Sequence, residues 1–188
     1  MVHLPTSLSL AATLSFLTLI AAAPTTPTTT STSDIFSFAK WVNDLITHPD
    51  TALSPEEAWQ AYLDTLNSTS VAIEAANDKA EKRWDAAVQC NDFAPGPAWA
   101  PDAVWCINYL AAKGSTACVV NDVSYFCTHG RARITGVSGG GRPESSCQDA
   151  AQTAGLIMDT CTRSNQYVEG SRMNVRAGVQ MYVHIRAP

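Results

Sequence analysis

The sequence predicts an α+β fold, a two-layer α/β sandwich in which an antiparallel sheet carries two helices on one face, preceded by a helical segment. Three observations predict it. Two stretches of the second half, after Pro101 and after Ser146, place apolar residues at helical spacing. The last stretch, Val179 to Arg186, alternates strictly, with Val179, Met181, Val183 and Ile185 on one face and Gln180, Tyr182, His184 and Arg186 on the other. One apolar and one polar face describe an antiparallel sheet covered on a single side. Finally, all six cysteines, Cys90, Cys106, Cys118, Cys127, Cys147 and Cys161, lie in this half.

The chain opens with an almost uncharged run from Leu8 to Ala23, ending in Ala21, Ala22 and Ala23. A run of this kind reads as a secretory signal peptide over residues 1–23, shorter than the roughly 20 apolar residues of a membrane span. Export to an oxidising compartment lets the six cysteines form disulfides, while sequence alone leaves their pairing open. There is no CxxC pair, and His129 has no partner at zinc-finger spacing, so no metal site is expected.

Residues 24–33 are almost wholly Thr, Ser and Pro, a leader unable to bury apolar surface. Residues 34–83 then turn helical and acidic. Ile35, Phe38, Trp41, Val42 and Leu45 recur at three- and four-residue steps, ending at His48-Pro49. Ser54-Pro55-Glu56-Glu57 is a helix start, with a hydroxyl cap, proline in the first turn and acids at the positive end of the dipole. Ala58, Trp59, Tyr62, Leu63 and Leu66 form its apolar stripe, and a third helical pattern runs from about Ser70 to Val88. Asn67-Ser68-Thr69 is a candidate N-glycosylation site, expected on a loop. From Pro24 to Arg83 four Lys/Arg stand against nine Asp/Glu, and from Trp84 onward eight stand against eight. The whole charge imbalance of −5 therefore sits in the helical segment. Lys82-Arg83 lies at the change and is a candidate processing site for a kexin-type protease, which would make residues 34–83 a propeptide.

Residues 84–188 are expected to form the disulfide-stapled α/β domain. Pro101-Asp102 opens a helix with the apolar face Ala103, Cys106, Ile107 and Leu110, and Gly114 closes it. Ala117-Cys118-Val119-Val120 and Ser124-Tyr125-Phe126-Cys127 read as a hairpin around Asn121-Asp122. Arg131 to Val137 is a third strand, with Arg131, Arg133 and Thr135 on its polar face. Ser138-Gly139-Gly140-Gly141 is a linker, since it lacks the spacing and the lysine of a phosphate loop. Ser145 and Gln148 fit a capping box for the second helix. On that helix Cys147, Ala150, Ala151, Ala154, Ile157, Met158 and Cys161 share one face. Cys147 and Cys161 stand roughly 21 Å apart along it, against a limit of about 7 Å for bridged Cα atoms. Each must therefore staple the helix to a different element.

The order of Cys106-Ile107-Asn108-Tyr109-Leu110, the stretch Phe126 to Gly136, the helix Ser146-Cys147-Gln148-Asp149-Ala150, Cys161 and the strand after Gly178 resembles that of small cysteine-rich effectors secreted by fungi, of the necrosis-inducing-factor type. More distantly it is similar to the fungal killer-toxin fold. The resemblance covers about Cys90 to Ile185. It implies export and action on other cells through binding rather than catalysis, with no activity residue carried over.

For catalysis, the histidines His48, His129 and His184 and the acids Asp149 and Asp159 are present, but no GxSxG-like element supports a nucleophile. The expectation is a protein that is not an enzyme and holds no cofactor. One surface is a candidate binding site: Arg131, Arg133, His184 and Arg186 project from polar strand faces with Tyr182 beside them, a positive stripe suited to an acidic partner, glycan or anionic lipid. The expected partner is an extracellular or cell-surface target on a host or competitor cell, with no nucleic acid and no stable membrane insertion. A secreted cell-wall hydrolase or hydrolase inhibitor, and a structural surface protein, are the alternatives.

Overall fold

The computed structural model describes residues 35–73, 88–90 and 94–188. The signal and leader expectations and the Lys82-Arg83 site lie outside these residues, as does most of the third helical pattern. The first helix, α1 (Phe38–Thr47), starts on Ser37, whose hydroxyl accepts the Lys40 N–H, and ends at His48. The second, α2 (Pro55–Ile73), starts on a reciprocal box: the Ser54 N–H donates to Glu57 and the Glu57 N–H to the Ser54 hydroxyl. It runs on through Asn67, so the glycosylation motif sits inside a helix and not on a loop. No Gly or Pro interrupts α2 after its first residue, which leaves nothing there to break it.

Among the described residues thirteen elements follow one another. After α2 come β1 (Val88–Cys90), β2 (Ala98–Trp99), α3 (Ala100–Ala112), β3 (Ala117–Val119), β4 (Val123–His129) and β5 (Ala132–Ser138). Then come β6 (Glu144–Ser146), α4 (Cys147–Cys161), β7 (Tyr167–Val168), β8 (Gly170–Met173) and β9 (Met181–Arg186). The main sheet has the order β1-β8-β9-β5-β4, and all its neighbours are antiparallel. The strands β2 and β7 form one small pair, β3 and β6 another.

Helices α3 and α4 pack on one face of this sheet. All four expected inward residues of α3 and all seven of α4 are buried. They meet Ile134, Val183 and Ile185 from the sheet in one apolar cluster. The fold is thus the α+β arrangement with helices on a single side. Phe38, Trp41 and Val42 of α1 and Ala58 of α2 are buried in the same cluster.

Three disulfides staple it: Cys90–Cys161, Cys106–Cys127 and Cys118–Cys147. They tie β1 to α4, α3 to β4, and β3 to the start of α4. As the helix length requires, Cys147 and Cys161 hold different elements.

Three further local expectations are corrected. The segments around Asn121-Asp122 do not form a hairpin, because β3 pairs with β6 and β4 with β5. The Cys118–Cys147 bridge and the Cys118↔Ser145 register hold β3 to the start of α4 instead. The capping box is one residue later than expected. The Ser145 hydroxyl accepts from Asn174 Nδ2 inside the fold, while Ser146, the last residue of β6, caps α4 and Asp149 closes the box. Arg131 precedes β5 and lies in the β4–β5 turn, where Gly130 adopts φ +49°.

Candidate functional site on the open face of the sheet

Strand alternation puts Ile134, Val183 and Ile185 against the helices, so the residues between them form the opposite, open face. Cross-strand register arranges these in rows. One row runs Thr128, Arg133, Arg186. The next runs Tyr125, Thr135, His184, Ser171, Gln89. The third runs Val123, Val137, Tyr182, Met173. None of the three rows contains an Asp or Glu.

The geometry defines what each side chain offers. The Arg133 guanidinium lies 4.4 Å from the centre of the Tyr125 ring, and its Nε donates to Thr128 Oγ1 at 3.2 Å. Such stacking fixes a long side chain in one orientation and contributes about 0.5–1 kcal/mol at an exposed site. Arg186, directly opposite Arg133, donates from Nη1 to the Ala94 carbonyl at 3.0 Å. Two buried polar atoms of this face, Thr135 Oγ1 and Arg186 Nε, have no hydrogen-bond partner among the described residues.

His184 lies between them and is mostly buried. Its pKa is pushed down to about 4, first by burial and then by the charge of Arg186. It is therefore neutral at pH 7 and adds no charge to the stripe. The exposed part of the face is apolar and aromatic: Tyr125 is 65% exposed, and Val123, Tyr182 and Met173 follow at 45%, 38% and 36%.

Of the five residues expected to form the stripe, the structure brings together Arg133, Tyr182, His184 and Arg186. Arg131 is elsewhere. Its guanidinium sits 4.4 Å above Trp99 and reaches the Tyr167 hydroxyl, while its N–H donates to Asp102. Sequence reasoning missed Val123, Tyr125 and Met173, whose place on this face depends on the β4–β5 and β8–β9 pairings. It also missed an exposed column on α3. There Trp105 stacks on His129 at 4.1 Å and on Tyr109 at 5.8 Å, with Lys113 over Tyr109. The four-residue spacing of Trp105, Tyr109 and Lys113 was legible as a helix face.

Of the histidines and acids weighed for catalysis, His129 is stacked on Trp105, the Asp149 carboxylate accepts the Ser146 N–H in the capping box of α4, and the Asp159 carboxylate accepts N–H groups at the start of α1. All six cysteines are bridged, and among the described residues no group of three His, Cys, Asp or Glu side chains is placed to hold a metal ion. No helix among those residues is long and apolar enough to cross a membrane.

No curated protein and no solved structure matches the chain. Residues 85–187 match the model of a family described as Domain of unknown function (DUF8794), which takes in β1 through β9 together with α3 and α4. The match spans more than half of the chain, from just past Lys82-Arg83 to the end of the last strand, and the protein belongs to that family.

Proposed function

We propose that this is a secreted protein that acts by non-covalent recognition of an extracellular or cell-surface target, and that the open face of the sheet is the recognising surface. The observation that carries the reading is the Tyr125–Arg133 stack set beside Arg186 and the exposed row Val123–Tyr182–Met173. Tyr, Met and Arg are the residues enriched where proteins meet partners, and carboxylates are depleted there. The face is cationic in a chain of net charge −5, so the partner it suits presents acidic groups at the arginine end. Three disulfides fit an oxidising environment. The resemblance to small secreted effectors of fungi supports the same class of action.

The test uses the full chain, fluorescently labelled, on intact cells of host and competitor organisms. The variant Arg133→Ser, Arg186→Ser, Tyr182→Ser is expected to lose binding while its near-ultraviolet circular dichroism stays native. Binding unchanged in a folded triple variant removes the open face from the mechanism.

A further inference from the structure

The helical segment is tied to itself before it meets the rest of the chain. The Phe36 N–H donates to Thr65 Oγ1 at 3.2 Å, and the Trp41 indole donates to the Leu53 carbonyl at 2.9 Å. Phe38 lies edge-on to Phe36 at 5.0 Å, is stacked with Trp59 at 6.3 Å and stands 5.1 Å from Tyr62. Helices α1 and α2 therefore make an αα-hairpin around its own aromatic cluster.

A separate set of contacts seats this hairpin, and it falls on one stripe of α4. Gln152 Nε2 donates to Asn43 Oδ1 at 2.8 Å. One turn on, Gly155 leaves a notch: a Cβ there would stand 3.1 Å from both Ala39 Cα and the Phe38 carbonyl oxygen. One turn further, the Asp159 carboxylate accepts the Ser37 hydroxyl and the N–H groups of Phe38 and Ala39, at 2.7, 2.6 and 3.0 Å. Those N–H groups belong to the first turn of α1 and have no partner within the helix. One protein holds another's helix by taking its apolar face into a groove, and here a rim contact, a notch for backbone and a clamp on the helix N-terminus accompany that face. Phe38, Trp41 and Val42 stand at i, i+3 and i+4 and are buried in one apolar cluster with Ile107 of α3 and Ala151 of α4.

Nothing covalent reinforces this seat, since the three disulfides all fall between Cys90 and Cys161. The family match, residues 85–187, includes the groove and excludes the hairpin.

From these contacts we infer that the α3–α4 surface is a receptor groove for an amphipathic helix, with the α1–α2 hairpin as its resident, exchangeable ligand. The class of ligand it takes is a helix with a hydroxyl N-cap followed by aromatic and aliphatic anchors at i, i+3 and i+4, here Ser37, Phe38, Trp41 and Val42. This groove lies on the opposite side of the molecule's sheet from the open face, so it is a second surface with its own partner chemistry.

The test inserts a sequence-specific protease site between Arg83 and Trp84 in the full, oxidised chain. After cutting, the hairpin is expected to co-elute with the disulfide-stapled remainder. A labelled peptide of residues 34–73, added in excess, is expected to replace it. Gly155→Leu, which fills the notch, and the milder Asp159→Asn, which weakens the clamp, should each speed release, the former by about tenfold or more. Immediate loss of the hairpin on cutting would overturn the groove. Retention without exchange, or loss of the remainder's near-ultraviolet dichroism once the hairpin leaves, would make the hairpin a fixed part of the core and overturn the exchange.

Discussion

Asp159 and Phe38 stand 121 residues apart in the chain, and the carboxylate of the first accepts the backbone N–H of the second. A carboxylate at a helix N-terminus is stabilised by the unpaired N–H groups and the dipole. Here partial burial outweighs that help and raises the Asp159 pKa above its ordinary value of 3.8. A raised value means that the folded chain holds this proton more tightly than the unfolded chain. The linked stability is fully present below the ordinary pKa and is lost as pH rises through the folded value. One flank of Asp159 remains in water, so the sign of the effect is the test and not its size. Asp159→Asn keeps an acceptor and cannot titrate. The Tm of the native chain minus that of the variant is expected to fall as pH rises from about 3 to about 7; a constant difference would contradict the assignment.

At Gly170, β8 is packed tightly against both β1 and α4. A Cβ on it would lie 2.7 Å from Cys161 Sγ, 2.9 Å from the Gln89 carbonyl and 2.9 Å from Ile157 Cγ2. One of these neighbours is backbone and another is fixed by a disulfide, so neither moves aside easily. Gly170→Ala is expected to destabilise the chain by about 1–3 kcal/mol, as overpacking does. Denaturant unfolding under oxidising conditions reads this as a lower midpoint, and an unmoved midpoint would show that the contact relaxes freely.

The three disulfides should not be equivalent. Cys90–Cys161 closes a span of 71 residues and Cys106–Cys127 one of 21. If restriction of the unfolded chain dominates, removing the longer bridge costs about 1 kcal/mol more than removing the shorter. Paired Cys→Ser variants compared by urea unfolding give the two values. Equal costs, or the reverse order, would point to native-state packing around Cys106 as the larger effect.

The helices were largely legible because their ends carry chemistry that acts locally. Ser54-Pro55-Glu56-Glu57 starts α2, and Pro101 and Gly114 bracket α3 within a residue or two. The inward faces of α3 and α4 could be named residue by residue from spacing alone. Strand partners were not legible in the same way. Asn121-Asp122 is good turn chemistry, but the Cys118–Cys147 bridge and the β3–β6 ladder direct that strand elsewhere. A capping box offers two registers wherever serines adjoin, and only the engagement of the Ser145 hydroxyl by Asn174, 29 residues away, leaves Ser146 as the cap. The candidate face was half legible. The alternation of β9 exposed Tyr182, His184 and Arg186, whereas the place of Tyr125 beneath Arg133 requires knowing that β4 is the neighbour of β5. Arg131 was misplaced because one residue of turn decides whether a side chain continues the pleat.

His184 decides how the open face responds to acid. Its folded pKa, about 4, lies below the ordinary 6.5. The folded chain therefore binds this proton less readily than the unfolded one, and stability linked to His184 is present above pH 6.5 and lost as pH falls through the folded value. While the chain stays folded, the imidazole remains neutral down to about pH 5, and the charge it leaves on the face comes from Arg133 and Arg186 alone. Cell binding through this face is thus expected to be level between about pH 7 and about pH 5, as far as the protein's own face sets it. Arg186→Gln removes the second cause of the depression and should raise the His184 pKa, read by NMR titration of its ring protons. Binding by this variant would then gain a pH dependence that the native chain lacks. An unshifted His184 in Arg186→Gln would mean that burial alone holds the imidazole neutral, and the two side chains would be neighbours without electrostatic consequence.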